Sequence, residues 1–178
     1  MPKTRVKKIV RTTCALAVLG ITPAYAMEKI TTFVPNAQKV GEGRLTYLFW
    51  DVYDAALFAP DGQWNSDQPF ALKLSYLRDI TGEKIADRSI EEMRNQGFND
   101  EVKLATWHTQ MRDIFPDVGK GTSLTGVYTS DGAAVFYYNN EESGRINDAE
   151  FSALFFNIWL SPDTSAPDLR RKLLGRGA

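Results

Sequence analysis

The alternation of apolar and polar positions is clearest at residues 69–77: Phe70, Leu72, Leu74 and Tyr76 fall on one face, Ala71, Lys73 and Ser75 on the other. A period of two is that of a strand with one buried face. Upstream, residues 44–59 are apolar, rich in aromatic residues and free of Gly and Pro. That predicts one long bent strand or two consecutive strands, buried on both faces over part of their length. Pro60-Asp61-Gly62 closes the stretch with a turn, and residues 27–43, broken by Pro35, Gly41 and Gly43, read as an irregular lead-in.

The period then changes. Thr81-Gly82-Glu83-Lys84 opens a helix running to about Asn95, with Ala86, Ile90 and Met93 as its apolar stripe and Gly97 as its stop. Asn99 is placed to cap a second helix, whose apolar positions Leu104, Trp107, Met111 and Ile114 are spaced 3, 4 and 3 and which ends before Pro116. Three strand-like runs follow, at 122–129, 133–138 and 142–146, joined by Ser130-Asp131-Gly132 and Asn139-Asn140. Such short polar connections make an antiparallel meander. Asn147-Asp148 caps a third helix with Phe151, Leu154, Phe155, Ile158 and Trp159 inward, and Ser165-Ala166-Pro167-Asp168 starts a short last one. Strands, helices, strands, helices in that order predict an α+β domain: a large antiparallel sheet with helices packed on one face.

The N-terminus is patterned differently. Lys3, Arg5, Lys7, Lys8 and Arg11 precede an apolar run from Cys14 to Ile21, then Thr22-Pro23-Ala24-Tyr25-Ala26. A basic start, a short apolar stretch and an A-x-A site make residues 1–26 a signal peptide cleaved after Ala26, and the expected location is periplasmic. The run is too short to span a bilayer, and no later stretch is long enough. The remaining domain, residues 27–178, has no cysteine, which excludes disulfides, Cys-ligated zinc and thiol catalysis. It retains 16 Lys and Arg against 22 Asp and Glu, a net charge of −6. Such a balance, without basic clusters, carries no footprint for nucleic acid.

Sequence motifs for chemistry are sparse. There is no nucleophile elbow, P-loop or dinucleotide fingerprint, and no cofactor is expected. His108 is the only histidine; no nucleophile or carboxylate stands beside it, and it cannot build a metal site by itself. The pairs Glu91-Glu92 and Glu141-Glu142 read as solvated surface, because helical neighbours do not face one another. Arg44 and Tyr53 stand out. A guanidinium entering an apolar strand needs a partner, which is either a ligand carboxylate or, within the domain, Asp51, Asp54 or the strand edge. Their odd spacing sends them to opposite faces of one regular strand, so only a bulge or a turn would unite them. Aromatic residues such as Tyr47 and Tyr76 either line a ligand cavity or fill the core.

The ordered segments Gly43-Arg44, Asp51 to Phe58, Leu77 to Gly82, Ala86 to Met93, Phe115 to Val118, Leu124 to Tyr128, Phe155 to Leu160 and Leu173-Leu174-Gly175 resemble the chalcone isomerase superfamily, in its bacterial secreted branch. The resemblance implies an open-faced β-sandwich with a ligand cleft between sheet and helices. It also implies that most of the isomerase machinery is missing. Arg44 matches the family arginine only with a gap, Tyr53 stands at the threonine, Ile85 at the tyrosine, Glu92 near the asparagine and Ile158 at the late Ser/Thr. An Ile can neither donate a proton nor hold a water. Non-catalytic fatty-acid-binding relatives keep an Arg and a Tyr at these places, so the resemblance implies Arg44 and Tyr53 as anchors for a small amphipathic carboxylate, with Tyr47 and Tyr76 nearby. The alternatives are an isomerase or lyase on another substrate, and a protein-interaction module with a closed cleft. An open cavity leading to Arg44 would favour ligand binding; Arg44 paired with Asp51 or Asp54 over a filled core would favour the interaction module.

Overall fold

The computed structural model describes residues 30–177. The expected signal peptide, its cleavage site and Cys14 lie outside the described residues. Six strands, β1 (Ala37–Tyr47), β2 (Trp50–Pro60), β3 (Phe70–Tyr76), β4 (Ser123–Tyr128), β5 (Ala134–Tyr138) and β6 (Glu141–Ile146), form one sheet in chain order, every neighbour antiparallel. Helices α1 (Gly82–Asn95) and α2 (Glu101–Ile114) lie between β3 and β4, and α3 (Ala149–Leu160) and α4 (Pro167–Leu173) follow β6. This is the expected α+β architecture, an open antiparallel sheet with helices on one face.

The two faces follow from the pleat. Tyr53, Ala55 and Leu57 of β2 stand opposite Tyr76, Leu74 and Leu72 of β3, and all six join the helical residues Met93, Leu104, Trp107, Met111, Phe151 and Trp159 in the main core. Each such Leu or Phe, once buried, contributes ~1.5–3 kcal/mol. Ala71, Val127, Val135 and Tyr137 point the other way and meet Ile30 and Val34, so the N-terminal helical turn at residues 30–33 covers part of the outer face.

Two boundaries differ from expectation. Residues 37–43 are not a lead-in but the first half of β1. Gly41 and Gly43 sit there because α4 lies directly on the strand: a Cβ at Gly41 would be 2.1 Å from the Lys172 carbonyl oxygen, and one at Gly43 would be 3.0 Å from Leu169 and Lys172 side-chain carbons. The cap of α2 is Asp100 rather than Asn99; its carboxylate accepts from the amides of Val102 and Lys103, both at 3.1 Å. An ionised cap also complements the helix dipole. Residues 44–59 resolve into the two-strand alternative, with the turn at Leu48-Phe49.

Candidate functional site

The hairpin of β1 and β2 carries three of the four candidate ligand residues. In its register Arg44 stands opposite Asp54, and Leu45 opposite Tyr53. Adjacent strand residues point to opposite faces, so Arg44 goes outward and Tyr53 inward. The turn between the strands therefore does not bring Arg44 and Tyr53 together.

On the outer face the Arg44 guanidinium is fully engaged. Its Nε and Nη2 donate to the two oxygens of Asp54 at 2.7 and 3.0 Å, and Nη1 donates to Asp51 at 2.8 Å. Thr46 Oγ1 donates to the other Asp51 oxygen at 2.7 Å. Donation to Asp54, then to Asp51, raises the Arg44 pKa further, and the hydrogen bonds from Thr46 and Arg44 hold the Asp51 carboxyl below the usual carboxylate range. The Arg44 side chain remains 47 % exposed. It is a surface brace of the hairpin, not a buried guanidinium, because the apolar alternation of β2 breaks at Asp51 and Asp54.

On the inner face Tyr53 and Tyr76 meet edge to face, ring centroids 5.8 Å apart. Trp159 on α3 donates its Nε1–H to the Tyr53 hydroxyl oxygen at 2.8 Å. No acceptor among the described residues takes the Tyr53 hydroxyl proton at hydrogen-bond distance, so this phenol keeps a donor to offer. Burial pushes Tyr53 up to about 12, and burial followed by the neighbouring Tyr53 pushes Tyr76 up as well. Both are neutral phenols at physiological pH. Tyr47 joins neither group; it is 64 % exposed at the hairpin tip.

A polar cluster lies on the helical side of this interior. Glu92 of α1 is 5 % exposed, receives Arg88 one turn away, and accepts the Ser165 hydroxyl at 2.9 Å. The expectation of a solvated Glu91-Glu92 pair thus holds for Glu91 and fails for Glu92. Successive helical residues are about 100° apart, enough to put one in water and the next under Ser165. Trp159 and Ser165 carry no site signal in the sequence, and Glu92 carries one only as the position near the family asparagine. Trp159 was visible only as a core position, and Ser165 meets Glu92 across 73 residues.

His108 acquires the orienting carboxylate that the sequence lacked: its Nε2 lies 2.7 Å from Asp87 Oδ1. The pair opens onto a surface groove of about 370 Å³ between α1 and α2, lined by Asp87, Ile90, Arg94, Glu101, Leu104, Ala105 and His108. No hydroxyl, thiol or amine side chain is among the residues lining that groove. A second groove, of about 250 Å³, lies between the end of α2 and the β5–β6 turn. Neither groove reaches Arg44, Tyr53 or Tyr76. Among the described residues no group of three His, Cys, Asp or Glu could hold a metal ion, and no helix is long and apolar enough to cross a membrane.

The model of the chalcone isomerase-like family matches residues 39–175, from within β1 to just past α4. The chain belongs to the chalcone isomerase-like family. An uncharacterized protein of Haemophilus influenzae is 28 % identical over 140 residues, which cover 78 % of this chain and 68 % of that protein. Among solved structures, the fatty-acid binding protein of Arabidopsis thaliana superposes with a TM-score of 0.63 at 10 % identity, over 80 % of this chain and 89 % of that one. At that identity the likeness is one of fold. Within the chalcone isomerase-like frame, the positions aligned by the resemblance with the catalytic Tyr and Ser/Thr are Ile85 and Ile158, both packed against the main core.

Proposed function

We propose that this chain is a non-catalytic chalcone isomerase-like protein of the periplasm that binds a small amphipathic carboxylate such as a fatty acid. The observation that carries this reading is the Tyr53 phenol: buried, neutral, held by Trp159 and left with an unused donor at the edge of an aromatic layer. A hydroxyl donor among aromatic walls suits an acid group with an acyl tail. The fold shared with a fatty-acid binding protein supports it, and the basic, apolar, A-x-A order of residues 1–26 supports export. Tyr53 and Tyr76 are the ligand-contacting pair in this proposal. Arg44 acts from the other face, by holding the hairpin that presents Tyr53, and Tyr47 stays at the exposed tip. An isomerase or lyase would need a group near the ligand that exchanges protons at neutral pH, and Tyr53 is not one.

One observation favours a second reading. Arg44 is already paired with both Asp51 and Asp54, and the layer behind Tyr53 is filled by Tyr76, Trp159 and Phe155. That is the arrangement expected of an interaction module with a closed cleft. Native mass spectrometry of delipidated protein with palmitic acid separates the two. Ligand binding predicts a one-to-one adduct that Tyr53→Phe weakens by about tenfold, the worth of one hydrogen bond to a charged group, while Arg44→Ala has a smaller effect. Absence of any acyl adduct on the wild type leaves the interaction module.

A further inference from the structure

Five large hydrophobic side chains are exposed among the described residues, and four of them are consecutive: Tyr47 at 64 %, Leu48 at 68 %, Phe49 at 99 % and Trp50 at 65 %. They form the tip of the β1–β2 hairpin. The backbone there is as unusual as the exposure, since Leu48 has φ 45° and Phe49 φ 70°. A two-residue turn with both φ positive is normally built from Asn-Gly, because any side chain in the left-handed region is strained. This tip puts a Leu and a Phe in that conformation and turns both into solvent. Neither choice helps the isolated domain fold, so the tip is shaped for something outside it.

The geometry points to insertion of this tip into a lipid bilayer surface. The order of residues is that of an interfacial anchor: two purely apolar side chains at the apex, with Tyr and Trp, the residues that concentrate at headgroup depth, on either shoulder. Arg78 stacks over the Trp50 ring at 5.6 Å, which sets a guanidinium at the level where lipid phosphates lie. The tip is a projection and not a groove, and a bilayer accepts a projection without a matching cavity. A second copy of the chain fits less well. The tip exposes roughly 600 Å² at the area usual for such side chains, whereas a stable dimer takes ~800 Å² from each partner. The charged groups near the tip cancel, Arg44 and Arg78 against Asp51 and Asp54, and farther along the hairpin Lys39 pairs with Glu42. Attachment is therefore apolar, and it does not require anionic lipid.

This inference stands apart from the fatty-acid reading, and its test uses vesicles free of fatty acid. The full chain is mixed with phosphatidylcholine vesicles, beside a variant carrying Leu48→Asn and Phe49→Gly, a pair that suits the positive-φ turn and keeps the hairpin folded. The wild type should co-sediment, shift its tryptophan emission to the blue and be quenched by lipids brominated along the chains. Trp50 is the exposed reporter, since Trp107 and Trp159 are already buried and Trp64 is half-buried against Phe70. The variant should bind at least about tenfold more weakly, as expected for losing a buried Leu and Phe. High salt should leave wild-type binding intact. Equal sedimentation of wild type and variant would place the attachment elsewhere in the chain and overturn the inference. So would binding that needs anionic lipid, binding with unchanged Trp50 emission, or a tip-dependent self-association without vesicles.

Discussion

Gly41 and Tyr53 show how much one side chain decides. Gly41 faces α4 so closely that the carbonyl of Lys172 occupies the space of a Cβ. Gly41→Ala is expected to cost about 1–3 kcal/mol, the usual range for overpacking, read as a lower urea midpoint with unchanged slope. Tyr53→Phe removes the acceptor of Trp159 Nε1 and strands a buried donor. A loss of about 1–3 kcal/mol is expected, with the change in Trp159 emission marking its site. Glycines at 41 and 43 look like breakers because nothing local shows the helix that lies on them. Arg44 looks buried because its neighbours are apolar, yet Asp51 and Asp54 stand close to it in the chain as alternative partners, and both take it.

Helices and strands were more legible, because their signals are local. The alternation at residues 70–76 predicts β3 and its faces as observed, and the Asn139-Asn140 turn has the positive φ values, 47° and 73°, that its sequence suggests. Asp148 shows where local reading stops. It caps α3 through the amides of Glu150 and Phe151, as the sequence suggests, and it also accepts Trp107 Nε1–H of α2 at 3.1 Å, which the sequence does not suggest. Asp148→Ala should therefore cost about 2–3 kcal/mol, a cap plus a hydrogen bond from a buried donor. Asp148→Asn, which keeps an acceptor for the amides, should cost less. Thermal unfolding of the two variants checks both the size and the order.

For the whole molecule, titration limits the range of stability on both sides. Hydrogen bonds from Thr46 and Arg44 lower Asp51, the bond from Arg94 lowers Glu101, and the Thr129 hydroxyl lowers Asp131. Carboxyls lowered in the folded state contribute stability that is present above their unfolded values and lost as pH falls through the folded ones. Melting temperature should thus hold down to about pH 4, near the unfolded carboxyl values, and fall below it. The exposure of these pairs makes the loss small and sensitive to salt. At the alkaline end burial raises Tyr53 and Tyr76, whose ordinary value is 10.0. That stability is complete below pH 10 and is lost as pH rises through about 12. Tyr53→Phe should flatten this alkaline limb, followed by tyrosinate absorbance against unfolding. The sequence by itself determined the α+β class, the Thr81 and Asp148 caps, the short turns, the faces of β3 and the ordered segments that resemble the family, because periodicity and capping depend on neighbours a few residues away. Only the tertiary structure decided that Arg44 and Tyr53 part to opposite faces, that Glu92 is buried under Ser165, that Trp159 holds Tyr53, and that Tyr47 to Trp50 project into solvent. Those facts depend on strand register and on which helix covers which strand, and groups ten to a hundred residues apart meet only when the chain has packed.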